Sequence, residues 1–400
     1  MAGPLQGVRV VDLSAVIAGP LCSYQLAMLG ADVIKVEPPK GGDLSRRLGS
    51  DAELNAKLMG ASYLSTNAGK RSIRLDLKSE EGIAVLRQLV KSADVLVENF
   101  RPGTMSRLKF DYAAAKAIKP DLIWCSISGF GQSGPLADRP AYDQIIQGYC
   151  GVMSLTGNEE NAPTRVGYQI CDTMAAMTAA YAIAAALYRK QTSGEGEFID
   201  VSMLDASLAS MSSWPLSNLL NAGKAPKPMG NENAASCPSG TFRTADGEIN
   251  IVANDEHQYQ ALCDAIAAPE LKTDPRFVTR PLRVANRKAL NALLANKLAT
   301  RTALEWDAIF GAAGVPAGPI LCLMDAVTLP QTKTRQLIKE FNGDAIGRPF
   351  SVHRLGFTLD SGIPDVALPP PQLGEHTDEI LQEIGYSPDE ITKLRDKAVL

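Results

Sequence analysis

Val8-Arg9-Val10-Val11-Asp12-Leu13, then Leu21-Cys22-Ser23-Tyr24-Gln25-Leu26-Ala27-Met28-Leu29-Gly30, then Val33-Ile34-Lys35-Val36-Glu37 follow one another near the start of the chain. The first run is short and β-branched, which suits a strand. The second has helical spacing and ends at Gly30, a residue able to take the left-handed turn after a helix. The third is again a β-branched run. Strand, helix and strand in that order are the unit from which parallel sheets are built. The pattern continues downstream. Ser79 reads as a helix cap, with Glu80 and Glu81 in the first turn of a helix reaching Lys91. Residues 95–97 and 122–127 read as further buried strands. The alternation predicts an α/β domain with a doubly wound, mostly parallel sheet covered on both faces.

Further on, the spacing predicts a long helix over 172–190, with alanine on nearly every side. Such a helix is expected to be packed all round, against a second helix or a second subunit. A strand at 198–201 and a helical pattern to about 220 follow. Asn221-Ala222-Gly223-Lys224-Ala225-Pro226-Lys227-Pro228 has the composition of a linker. Beyond it, a hairpin over 241–252 around Asp246-Gly247 and a series of short helices predict a second, smaller α+β domain.

Composition bounds the function. At 400 residues the chain suggests two domains or three. With 45% hydrophobic and 21% charged residues, general disorder is excluded. A net charge of −4 argues against nucleic acid or an anionic membrane as the main partner. The opening Met1-Ala2-Gly3-Pro4-Leu5-Gln6-Gly7 has neither the basic nor the apolar region of a targeting segment. The most apolar stretch, 174–188, falls short of the roughly 20 residues a membrane span needs. The seven cysteines are scattered and form no C-x-x-C pair. They read as free thiols of a cytoplasmic protein, with neither a disulfide framework nor a zinc site.

The first strand-helix-strand unit invites a dinucleotide reading, with Glu37 where a ribose-binding acid would stand. Its turn, however, is Val16-Ile17-Ala18-Gly19-Pro20, without the glycines that let a backbone approach a pyrophosphate. A nucleotide-type fold bound to something other than NAD is expected. The three histidines, His257, His353 and His376, have no ligand spacing, so no metal is expected. No G-x-S-x-G elbow and no phosphate loop of the G-x-x-x-x-G-K-[ST] type occurs. Chemistry falls to carboxylates, basic residues and backbone amides.

Asp172, directly before the long helix, carries two readings. It is either the cap that satisfies the first amides of that helix or a nucleophile kept ionised by the helix dipole and flanked by amides that stabilise an oxyanion. Position alone does not choose between them. Basic residues gather in Lys40-Gly41-Gly42-Asp43-Leu44-Ser45-Arg46-Arg47, in Asn67-Ala68-Gly69-Lys70-Arg71, and at Arg101 and Arg107. They read as a solvated face or as loops holding a phosphate-rich ligand.

Several stretches in order complete the picture: Leu5-Gln6-Gly7-Val8-Arg9-Val10-Val11-Asp12-Leu13 and Ala18-Gly19-Pro20; Gly30-Ala31-Asp32-Val33-Ile34-Lys35-Val36-Glu37 with Gly42-Asp43; Val97-Glu98-Asn99-Phe100-Arg101-Pro102-Gly103; Gly129-Phe130-Gly131-Gln132-Ser133-Gly134-Pro135; Gly194-Glu195-Gly196; and Leu373-Gly374-Glu375-His376-Thr377. Together they resemble the class III coenzyme A transferases, the group that includes formyl-CoA and carnitine CoA-transferases. The resemblance implies that Asp172 is the covalent nucleophile, passing through a mixed anhydride and an aspartyl-CoA thioester. It implies CoA contacts at Ala18, Leu75, Lys78, Asn99, Phe100, Arg101 and Arg107, with Tyr142 beside the acyl group. CoA and acyl-CoA would be substrates, and no cofactor would be permanently bound. The fold implied is a Rossmann-like large domain over 1–200, a linker over 201–228, a small domain over 229–325, a linker over 326–345, and a return to the large domain over 346–400. Two chains would interlock as a homodimer.

Some positions depart from the formyl-CoA branch. Ile17 replaces a glutamine near the reacting acid, and Pro38 an arginine for CoA. Gly230-Asn231-Glu232-Asn233-Ala234-Ala235-Ser236-Cys237 lacks a glycine run where that branch covers its site. Ile17, Asn233 and Ser236 are therefore the expected substrate-side positions, and oxalate and formyl-CoA are disfavoured. Asn286-Arg287-Lys288 and Gly314-Val315-Pro316-Ala317-Gly318-Pro319-Ile320 look more like members that use dicarboxylic acids such as succinate, glutarate or mesaconate. Two alternatives remain. One is an α-methylacyl-CoA racemase, which uses a histidine and an aspartate, although Arg139-Pro140-Ala141-Tyr142-Asp143 carries no histidine. The other is a non-catalytic CoA-binding protein.

Overall fold

The computed structural model describes residues 3–344 and 346–400. Met1 and Ala2, at the opening read above for a targeting segment, lie outside the described residues. So does Ala345, the last position of the expected 326–345 linker.

A six-stranded sheet organises the larger of two compact units. Its strands are β1 (Arg9–Asp12), β2 (Asp32–Glu37), β3 (Lys70–Arg74), β4 (Val95–Glu98), β5 (Ile123–Ser128) and β6 (Glu197–Ser202). They lie in the order β3-β2-β1-β4-β5-β6, and every pairing is parallel. The order reverses between β1 and β4. At such a point the loops leaving two neighbouring strands part to opposite faces and open a crevice beyond their carboxyl ends.

Alternation along the strands explains the two apolar layers. Val10, Val33, Val97 and Cys125 face one core with helices α1 (Ala18–Met28) and α4 (Ile170–Ser193). Val11, Ile34, Leu96 and Trp124 face the other, with Val85, Leu86 and Leu89 of α2 (Glu80–Lys91). The expected cap of α2 forms: the Ser79 hydroxyl accepts the Gly82 amide at 3.0 Å. Helix α3 (Asp143–Tyr149) precedes α4 on the same side of the sheet.

Three expectations change here. Helix α4 begins at Ile170, so Asp172 lies inside its first turn and not before it. Nor is α4 packed all round within this chain. It buries one stripe, Cys171, Ala175, Ala176, Ala179, Ile183 and Ala186, against α1, β5 and β6. Met177, Tyr181 and Tyr188 stand exposed on the opposite side. The basic stretch around Lys70 is not a ligand loop. A helix over Ala61–Asn67 leads into β3. Lys70 is fully buried, with Nζ 3.0 Å from Asp12 Oδ2 and 2.9 Å from the Pro20 carbonyl. Arg46 is likewise internal: its guanidinium pairs with both oxygens of Glu37, at 2.6 and 2.7 Å. The acid that stood in the ribose-binding position is thereby committed to the core.

Besides the described residues up to Val152, the larger unit includes Arg165–Ala225 and Gln331–Leu400. Helices over Met203–Ser210 and Ser217–Ala222 occupy half of the stretch read as a 201–228 linker. The smaller unit comprises Met153–Thr164 and Pro226–Pro330. Its segment 153–164 was not expected there; it is joined by a hydrogen bond of 2.7 Å from the Gly230 amide to the Gly157 carbonyl. Strands β7 (Ser239–Arg243), β8 (Glu248–Val252) and β9 (Ala317–Pro319) form its antiparallel sheet. The expected hairpin turn closes from the Thr244 amide to the Gly247 carbonyl. Ile249, Ile251, Tyr259, Leu262, Leu290 and Phe310 fill its core. In the larger unit, β10 (Ile338–Phe341), inside the expected 326–345 linker, pairs antiparallel with β11 (Phe350–His353).

Candidate active site

Two adjoining cavities open at the β1/β4 reversal. The smaller, about 230 Å³, is lined by residues 15–18 after β1, 99–102 after β4, 127–129 at the end of β5, and Arg139, Tyr142 and Asp172. The larger, about 750 Å³, runs over Val36, Pro38, Lys40, Leu75, Lys78, Thr104 and Lys397. Ala15 and Phe100 line both.

Asp172 brings a carboxylate into the smaller cavity from the first turn of α4. It does not cap the helix. Asp143 does so from a distance: its Oδ1 accepts the Cys171 amide at 2.8 Å, and its Oδ2 accepts Gln147 Nε2 at 2.7 Å. Gln147 also accepts the Val166 amide and donates to the Tyr168 carbonyl, which fixes the approach to α4. Among the described residues the Asp172 carboxylate has no hydrogen-bond or ion-pair partner. Burial, then the neighbouring charge of Asp143, push it up to about 7. Both causes act against the ionised form that the helix dipole was expected to favour.

Opposite stands the start of α1. Its first helical bond runs from the Leu21 amide to the Ile17 carbonyl. The amides of Ala18 and Gly19 precede that bond and have no carbonyl within the helix. Ala18, at the start of α1, lines the same cavity as Asp172; a carboxylate and free helix amides on one cavity are the groups needed to attack a carbonyl carbon and to stabilise the oxyanion that forms. On the β4 side, Glu98 accepts the Phe100 amide at 2.8 Å and also binds the Ser126 hydroxyl. This holds Phe100 at the junction of the cavities. Burial pushes Glu98 above its usual range.

The sequence-derived residues distribute as follows. Ile17, Ala18, Asn99, Phe100, Arg101, Tyr142 and Asp172 line the smaller cavity. Leu75 and Lys78 line the larger. Arg107 lines neither; it binds Thr104 Oγ1 at 2.8 Å, at the rim of the larger cavity. The side chain of Asn99 is engaged with both the amide and the carbonyl of Ala15. Asn233 and Ser236 belong to the smaller unit, where Ser236 is buried and hydrogen-bonded to Asn254 at 2.6 Å. Sequence reasoning missed Asp143, Gln147 and Lys397. Lys397 reaches the cavity because the Asp76 amide donates to the Val399 carbonyl at 2.8 Å, a contact with no local signal.

This fold and site define a class. A family model described as CoA-transferase family III matches residues 5–377, and the chain belongs to that family. It is a class III CoA-transferase. The acetyl-CoA:oxalate CoA-transferase of Acetobacter aceti is 42% identical to it over 350 residues, 85% of this chain and 87% of that protein. The succinate–glutarate CoA-transferase of Agrobacterium fabrum is 36% identical over 390 residues, 95% of this chain and 96% of that protein. A crystal structure of a CaiB/BaiF family protein from Brucella suis superposes with a TM-score of 0.84 at 36% identity, covering 96% of this chain and 100% of that one.

Proposed function

We propose that this enzyme moves CoA from an acyl-CoA thioester, such as succinyl-CoA, to a small dicarboxylic acid, with Asp172 as the covalent nucleophile. The observation that carries the reading is the unpartnered carboxylate of Asp172 in a cavity that shares Ala15 and Phe100 with a much larger cleft. An extended thioester lying across both would keep its nucleotide in the cleft and its carbonyl beside Asp172.

In this reading an Asp172 oxygen attacks the thioester carbonyl. The C–S bond breaks, CoA leaves as a thiolate, and a mixed anhydride remains. The thiolate then attacks the aspartyl carbonyl, and the donor acid leaves as a carboxylate. An aspartyl-CoA thioester results. The acceptor carboxylate attacks that thioester, the C–S bond breaks, and a second mixed anhydride forms; the released thiolate then attacks the acceptor's acyl carbon, and Asp172 leaves as a carboxylate. Two easier transfers replace one difficult exchange. The amides of Ala18 and Gly19 serve the oxyanions.

Arg101 and Arg139 also line the smaller cavity and supply positive charge for a second carboxylate, which supports a dicarboxylic acceptor. The departures at Ile17 and Pro38 disfavour oxalate. The oxalate enzyme of Acetobacter aceti, at 42% identity, keeps it among the candidates. The exposed face of α4 supports a homodimer.

The test incubates acetyl-CoA or succinyl-CoA with oxalate, glutarate, mesaconate and monocarboxylates in D₂O and follows CoA products by mass spectrometry. Transfer to a dicarboxylate that disappears in Asp172→Ala is expected. Transfer only to monocarboxylates would overturn the acceptor. Deuterium at the α-carbon without CoA transfer would overturn the mechanism.

A further inference from the structure

Val16 has a φ of +71°. Among the described residues it is the only β-branched one in the left-handed region, where such a side chain is a steric outlier. A backbone conformation of this kind persists only where its surroundings over-determine it. Here they do, and Val16 lies directly before Ile17 and the start of α1, on the wall of the cavity that contains Asp172.

Side chains hold each residue of the turn. Asp12 Oδ1 accepts the Ser14 amide at 2.9 Å. Asn99 accepts the Ala15 amide at 2.9 Å and donates to the Ala15 carbonyl at 2.8 Å. Asp43 Oδ1 accepts the Val16 amide at 3.0 Å. Lys35 backs this last bond, with Nζ 3.0 Å from Asp43 Oδ2 and 2.9 Å from the Ser14 carbonyl, and both side chains are buried. The turn folds tightly back on itself: a Cβ added to Gly19 would lie 2.2 Å from Ser14 Cβ. These clamps come from β1, from β2 and the loop after it, and from the end of β4. They meet at the reversal point of the sheet.

We propose that Asp43, backed by Lys35, and Asn99 are positioning residues of the transfer reaction. They force Val16 into the left-handed conformation, so that Ile17 and the first amides of α1 stand against the Asp172 cavity. Donors fixed in advance need no reorganisation when charge develops on the attacked carbonyl. The inference rests on the reading of that cavity as the acyl site.

Glycine takes a positive φ without steric cost, so Val16→Gly should replace the clamp. The experiment compares steady-state kinetics and melting of wild type, Asp43→Ala, Val16→Gly and the double variant. Misplacement of about 1 Å at a reacting centre costs on the order of 100-fold in rate. Asp43→Ala is expected to lose kcat on that scale with KM little changed, and the double variant to recover most of it. An unchanged kcat in Asp43→Ala, or a loss that Val16→Gly does not relieve, overturns the proposal. If Asp43→Ala does not fold, Asn99→Ala with and without Val16→Gly gives the same comparison, and absence of rescue again overturns it. Transfer that survives Asp172→Ala counts against the cavity reading alone. An unrescued clamp variant in an enzyme that needs Asp172 counts against the clamp alone.

Discussion

Asp143 caps the helix that carries Asp172. Its carboxylate reaches across 28 residues to accept the Cys171 amide at 2.8 Å. This frees Asp172 from the capping role its position suggests, and it also sets a second carboxylate beside it. The result is an acid that ionises at about 7. If the ionised form is the nucleophile, kcat/KM rises with pH through about 7. Asp143→Asn removes the neighbouring charge, so the acid limb of the pH profile should move to lower pH. A limb that stays in place would mean that burial alone sets it.

The same shift has a stability consequence. The folded state holds the Asp172 proton more tightly than the unfolded chain, whose value is 3.8. The stability this proton contributes is complete below 3.8 and is lost as pH rises through about 7. Asp172→Asn should therefore melt higher than wild type at pH 8 and show no such gain at pH 4. Thermal melts at the two pH values check this, and an equal effect at both would contradict it.

Lys397 lines the larger cavity while pairing with Glu81 at 2.7 Å on the surface. If the larger cavity takes the nucleotide of CoA, as proposed, Lys397 would exchange that carboxylate for a phosphate. A charge-assisted contact of this kind contributes about 1.5–3 kcal/mol, so Lys397→Ala should raise KM for acyl-CoA roughly tenfold or more. The kcat at saturation should hold. Repeating the comparison with 3′-dephospho-CoA thioesters tells which phosphate is met: a variant that no longer discriminates between the two marks the 3′-phosphate.

Asp12 and Lys70 are fully buried and in contact at 3.0 Å. Removing one partner of such a pair costs about 3–5 kcal/mol, because the other charge is left without compensation. Lys70→Met should lower the urea midpoint of the larger unit accordingly. Adding Asp12→Asn should recover part of the loss, since an amide needs no counter-charge. A further loss in the double variant would refute the ion-pair account.

The outer face of α4 exposes 67% of Tyr181 and 71% of Tyr188. If a second copy covers it, Tyr181→Asp with Tyr188→Asp should leave the far-ultraviolet spectrum intact and halve the mass measured by light scattering. An unchanged mass would remove these residues from any interface.

Much of the sheet was legible in local pattern. The β-branched runs of β1 and β2, the buried runs of β4 and β5, the capped helix α2 and the small hairpin follow from side-chain pattern and capping, which act over a few residues. β3 was not legible. Asn67-Ala68-Gly69-Lys70-Arg71 reads as a basic loop, and the counter-charge that lets Lys70 be buried, Asp12, stands 58 residues away. The division of the chain was blurred for the same reason. Segment 153–164 joins the smaller unit through contacts with residues far along the chain.

The candidate site divides along the same line. The family resemblance named Ala18, Asn99, Phe100 and Tyr142, and the parallel topology brings the segments that carry them to one crevice. The crevice, though not the choice of residues, follows from strands that alternate with helices. Whether Asp172 caps a helix or faces a substrate did not follow, because the answer depends on whether another group satisfies the helix amides. Asp143 supplies that group from a separate helix, and Asp43 and Lys35 fix the facing turn from another strand and its loop. Local sequence specifies backbone preference; the partner of a buried polar group is chosen by which distant segments the folded chain brings within hydrogen-bond reach.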